Sequence, residues 1–121
     1  MKAEELMVGD WVRIKTTQHN TTVTNIDANS VYTEAVFPVR YDEIEPVPLT
    51  PEILEKNGFK KYDELYRLDI TEGTFVNVDF KSKEPFVSVH NTCYRATPIC
   101  RYLHQLQHAL RLCGIEKEIT L

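Results

Sequence analysis

Polar and apolar positions alternate through much of the chain, and the period changes in only two places. After Val8-Gly9-Asp10, residues 11–15 put Trp11 and Arg13 on one side and Val12 and Ile14 on the other, which predicts a strand. Residues 16–20 are polar and read as a loop. Residues 21–26 are β-branched and alternating, and residues 27–30 form a turn cluster of Asp, Ala, Asn and Ser. A third strand follows over 31–37, Pro38 interrupts it, and 39–44 make a fourth. Later strands are predicted over 62–70 and 74–80, joined at Glu72-Gly73, and over 85–90. In the last of these Phe86, Ser88 and His90 share one side, with Val87 and Val89 on the other.

Two segments carry helix punctuation instead. Thr50, Pro51, Glu52 and Gly58 supply an N-cap, a first helical residue, a charge suited to the dipole and a left-handed stop. Thr97, Pro98 and Gly114 frame a longer helix over 97–114 in the same way. At about 100° per residue, Ile99, Leu103, Leu106, Leu110 and Cys113 form its core stripe, with Tyr102 at the edge. Cys100, His104 and His108 recur every fourth position beside Arg101 and Arg111, and are expected to face water.

The predicted class is α+β and strand-dominated. Residues 1–47 read as a small curled barrel, because a flat sheet of that size leaves one face bare. Pro46-Val47-Pro48 marks the internal boundary. Residues 48–121 read as an α+β half with one long C-terminal helix, sharing a single core with the first; 121 residues is the usual size of one domain.

Three stretches together carry a resemblance: Gly9-Asp10-Trp11-Val12, then Leu49-Thr50-Pro51-Glu52-Ile53-Leu54 with Asn57-Gly58-Phe59, then Tyr102-Leu103-His104-Gln105-Leu106-Gln107. The chain resembles a family of small uncharacterised proteins from gut Bacteroidales and their phage-like or mobile elements, a likeness that implies no activity and no site. The Gly-Asp-led first strand is also similar to SH3-like barrels, which implies the barrel form for residues 1–47.

Charge narrows the partners. The net charge is −4, from 14 Lys and Arg against 18 Asp and Glu, which argues against a general polyanion binder. Its distribution is uneven. Residues 1–60 hold six bases and ten acids, and 61–121 hold eight of each. Residues 90–115 contain no acid but do contain Arg95, Arg101 and Arg111. The cluster Asp42, Glu43 and Glu45 reads as solvated rim charge. No apolar run reaches the length of a membrane helix, and the start has no signal-peptide pattern. Cys93, Cys100 and Cys113 are too few for a disulfide framework, so reduced thiols in a cytoplasm are expected.

Three chemistries are open to the segment around 90–111. His104 and His108, one helical turn apart, can share a zinc ion with Cys100 and with Cys93 or His90. Cys93 or Cys100 can act as a nucleophile with His90 or His104 as base. Against both, Cys-x-x-Cys and His-Glu-x-x-His are absent, and no acid lies nearby to orient a base. The third chemistry is contact: Arg95, Arg101, His104, His108 and Arg111, with Tyr94 and Tyr102 for stacking, suit a protein or a nucleic-acid backbone. Trp11 on the first strand serves as a core anchor, or with Tyr32 and Tyr41 as a rim. The favoured expectation is a non-enzymatic binding or adaptor module with no cofactor and no membrane contact, acting on a protein partner and alternatively on nucleic acid. The competing expectation is a metal-dependent or thiol enzyme centred on Cys93, Cys100, His104 and His108. Oligomeric state stays open.

Overall fold

The computed structural model describes residues 1–35, 37–81, 84–90 and 100–121, together with the backbone of 95 and 96. It is a strand-dominated α+β structure with two antiparallel five-stranded sheets and two α-helices among the described residues. It separates into two compact units. One comprises Met1–Pro48 and Tyr102–His104, and the other Leu49–Arg101 and Gln105–Leu121.

In the first unit, β1 (Trp11–Ile14), β2 (His19–Ile26), β3 (Ser30–Thr33), β4 (Val39–Arg40) and β5 (Ile44–Pro46) lie in the order β4-β3-β2-β1-β5. Inward residues Val12, Val23, Val31, Val39 and Ile44, with Leu6, form the core, and Met1, Ile14, Ile26 and Tyr41 pack against it. Gly9-Asp10 is a structural device. Gly9 takes φ +93°, which favours glycine, and the buried Asp10 accepts the Met7 N–H on Oδ2 at 2.8 Å. Two expectations are corrected here. Among the described residues no pairing joins β4 to β5, so the sheet is open rather than closed into a barrel by its ladders. The single strand expected over 39–44 is broken by a 3-10 turn at Tyr41–Glu43, where the Tyr41 hydroxyl donates to the Asp27 carbonyl.

The second unit begins with α1 (Pro51–Lys56), as the capping residues predict. Thr50 Oγ1 accepts the Ile53 N–H at 3.4 Å, and Gly58 ends the helix at φ +90° while Phe59 N–H returns to the Leu54 carbonyl at 3.0 Å. Next come β6 (Lys60–Tyr62), β7 (Leu65–Thr71), β8 (Thr74–Asp79), β9 (Phe86–His90) and β10 (Arg95–Ala96), an antiparallel sheet in the order β10-β9-β8-β7-β6. Strand β6 is separate because the chain turns at Asp63, where φ is +59°. Val76, Val78, Val87 and Val89 are wholly buried on one face, which matches the predicted alternation in β9.

The second helix, α2 (Leu103–Leu112), is ten residues long and starts later than predicted. Thr97, Pro98 and Ile99 lie outside the described residues. The physical reason for the late start is long-range pairing just before it. Cys100 N–H donates to the Pro85 carbonyl at 2.9 Å, Leu49 N–H donates to the Arg101 carbonyl at 3.0 Å, and Tyr102 bridges Pro48. The Arg101 carbonyl, which in a helix would accept the N–H four residues on, is taken by Leu49 instead, and the bridge at Tyr102 holds the chain extended. Gly114 closes α2 at φ +73°, and Ile115 N–H returns to the Leu110 carbonyl at 2.8 Å.

Beyond α2 the segment 115–121 lacks regular structure yet buries Ile115 and Ile119. Asn57, 5% exposed, fixes it: its Nδ2 donates to the Thr120 and Ile53 carbonyls and its Oδ1 accepts the Thr120 N–H, each at 2.8 Å.

Candidate functional site

The sequence-predicted site does not assemble as one open face. Leu103, Leu106 and Leu110 are buried as expected, but His104 is only 4% exposed and Gln107 is also buried, while Leu112 is 79% exposed. The helix therefore turns one imidazole inward and one leucine out. His104 stacks on Tyr102, ring centroids 6.0 Å apart. His108 and Arg111 are half-buried. Arg101 and Cys100 precede α2 rather than lying on it. Tyr94 and Cys93 lie outside the described residues, and Arg95 is placed only by its backbone in β10.

The chemistry of Cys100 follows from its burial, which pushes the thiol up from 9.0 to about 12. At neutral pH it is a protonated, enclosed thiol, the opposite of an activated nucleophile. Burial also raises Cys113. Among the described residues, no three His, Cys, Asp or Glu side chains are grouped to hold a metal ion.

Of two further concavities, the first adjoins a predicted residue and the second does not. Arg101 pairs with Glu84 at a cleft of about 550 Å³ lined by Leu49, Pro51, Phe80 and Pro85. In the first unit a cavity of about 530 Å³ lies among Ile14, His19, Phe37, Pro38, Val39 and Glu43.

The most organised side-chain array is the outer face of the second sheet. Register sets it in three rows: Tyr62, Leu65, Asp79 and Phe86; Lys60, Arg67, Asn77 and Ser88; and Asp69, Phe75 and His90. The Arg67 guanidinium lies 3.9 Å from the Phe75 ring centroid and its Nε donates to Asp69 at 2.9 Å. His90 stacks on Phe75 with centroids 4.5 Å apart, and His90 Nε2 shares a hydrogen bond with Ser88 Oγ at 2.7 Å. This chain of contacts crosses three strands. At the opposite end Tyr62 and Phe86 stand 55% and 43% exposed.

Of the predicted residues, His90 falls in this array and Arg95 is paired with it by backbone register alone, whereas Arg101, His104, His108 and Arg111 are not part of it. Sequence reasoning missed Arg67, Phe75 and Ser88 as a group. Within each strand the period of two was legible, but it is the cross-strand register that places Arg67 and Phe75 on the side of Phe86, Ser88 and His90.

Compared with known proteins, the chain matches no family model, no curated protein and no solved structure.

No α-helix among the described residues is long and apolar enough to cross a membrane.

Proposed function

We propose that the chain is a non-enzymatic binding or adaptor module of the cytoplasm, acting with a protein partner in the setting of a mobile element. The observation that carries this reading is the outer face of the second sheet, which bears exposed Tyr62 and Phe86 at one end and the Arg67, Phe75 and His90 stack at the other. Aromatic and arginine side chains on an ordered platform are the anchors that protein interfaces favour. Lys60 and Arg67 are matched there by Asp69 and Asp79, a neutral mosaic that favours protein over a polyanion.

The first unit supports the same reading. Its strand order, with a 3-10 turn between β4 and β5, is compatible with an SH3-like form whose ladders stay open, which we read as a binding scaffold by analogy of fold alone.

The test is affinity capture after in-cell cross-linking, comparing wild type with Phe86→Glu and with Arg101→Glu/Arg111→Glu. A protein held by wild type and lost with Phe86→Glu supports the sheet face. Loss with the double arginine reversal alone moves the site to the α2 segment. Capture of nucleic acid in place of protein, or capture unaffected by either variant, overturns the proposal.

A further inference from the structure

We propose that Asn57-Gly58 is a self-modification site, a step at which the chain deamidates, and that the docked segment 115–121 guards it. The proposal is independent of the sheet face. A main-chain nitrogen attacks the preceding carboxamide most readily when it belongs to glycine, which has no Cβ to hinder the approach. Asn-Gly occurs once in the sequence. The fold requires the glycine there, because residue 58 takes φ +90° to stop α1. In the reaction the Gly58 nitrogen bonds to Asn57 Cγ, the Cγ–Nδ2 bond breaks, and ammonia leaves with the Gly58 proton. The resulting cyclic imide takes up one water molecule. Opening at Cγ gives aspartate; opening at the main-chain carbonyl gives isoaspartate, with the chain rerouted through the side chain.

Three features hold the native site short of this. The Gly58 N–H donates to the Glu55 carbonyl at 3.2 Å. Asn57 has ψ 17°, which nearly eclipses the Gly58 nitrogen with Asn57's own nitrogen and keeps it off Cβ, where ring closure must occur. The carboxamide itself is clamped, Nδ2 on the Ile53 and Thr120 carbonyls and Oδ1 on the Thr120 N–H, with the residue only 5% exposed to water. That clamp closes only while 115–121 is docked. The segment lacks regular structure and is anchored by Ile115 and Ile119, the profile of a part that opens before the whole molecule does. Conversion is one-way. A carboxylate offers no N–H to the Ile53 and Thr120 carbonyls and sets a negative charge against them. Isoaspartate also adds one carbon to the main-chain path ahead of the helix stop. A copy that has opened and reacted therefore does not refasten.

Peptide-mapping mass spectrometry of the full chain, incubated at mildly alkaline pH, measures carboxamide loss at residue 57 and separates the two products. Ile119→Ser removes an anchor of the segment, and Thr120→Pro deletes the N–H that Oδ1 accepts. Each is expected to speed conversion at least about fivefold over wild type, since the rate scales with the open fraction. Asn29, exposed in the turn between β2 and β3, is the internal reference and should keep its rate. Wild type in urea should convert fastest. Asn57→Asp, which stands for one product, should speed amide hydrogen exchange over 115–121 at least about tenfold. Thermal melts confirm that each variant is folded. No acceleration in either segment variant, or equal acceleration at Asn29, overturns the guard. No conversion at residue 57 even in urea overturns the site, and unchanged exchange in Asn57→Asp overturns the one-way release.

Discussion

Asn57 and Thr120 stand 63 positions apart in the chain and meet through a pair of 2.8 Å hydrogen bonds between one carboxamide and one residue's main chain. The pairing gives a buried asparagine side chain full satisfaction and ties the terminal segment to the end of α1. Asn57→Ala is expected to destabilise the protein by about 1–3 kcal/mol, since partly buried main-chain groups lose their partners. Thr120→Ala should cost under about 0.5 kcal/mol, because the bonds that matter use its backbone. Urea denaturation of the two variants checks the contrast; equal losses would mean that the carboxamide is not the fastening.

Gly58 adopts φ +90°, and a Cβ there would find only Leu68 Cδ1, at 3.7 Å. Gly114 at φ +73° has nothing within 4 Å. Space is therefore not the constraint at either site; the left-handed backbone is. Alanine at each is expected to cost about 1–2 kcal/mol by the same steric mechanism, despite their different surroundings. Thermal melting of the single variants measures it.

Cys100 carries a pH signature. Its folded thiol is raised to about 12 by burial, so the native state holds a proton that the unfolded chain releases from about pH 9 upward. Stability from this group is present in full below pH 9 and is lost as pH rises from 9 towards 12. The Tyr66 hydroxyl, raised first by burial and then by Glu55, adds a decline of the same sign above pH 10. Denaturation midpoints should fall across that range, and Cys100→Ala should flatten the portion that begins near pH 9. Mass-spectrometric alkylation at pH 8 should leave Cys100 unmodified until denaturant is added.

Arg67 and Phe75 are expected to couple by about 0.5–1 kcal/mol in a double-mutant cycle with alanine. Additive losses would mean that the cation–π contact at 3.9 Å contributes nothing beyond burial.

Local chemistry made α1 and the sidedness of β9 legible, because a cap, a proline, a stop and a period of two are all written within a few residues. The first strand and its sidedness followed for the same reason, but alternation did not say which side is inward: Val12 is fully buried and Trp11, expected as a core anchor, is half-buried. Helix α2 was misread at its start. Thr97 and Pro98 are good initiators, but the pairings of Cys100, Arg101 and Tyr102 with residues between 48 and 85 decide where the helix begins, and no local pattern encodes them. The burial of His104 is of the same kind. Spacing alone put it on a polar face, and tertiary packing enclosed it. The break at Tyr41–Glu43 was hidden because an alternating run and a strand–turn–strand share the same letters over six residues.

Interleaving of the first unit has a consequence for biosynthesis. Val47 accepts the Leu103 N–H at 2.8 Å and Pro48 pairs with Tyr102, so three residues from late in the chain belong to the unit that emerges first. A nascent polypeptide cannot complete this unit until more than fifty further codons have been translated. An open reading frame truncated after residue 48 would deliver a fragment lacking part of its own edge, prone to proteolysis. Inserting a stop codon there, then assaying the product's half-life against the full chain, makes that dependence visible.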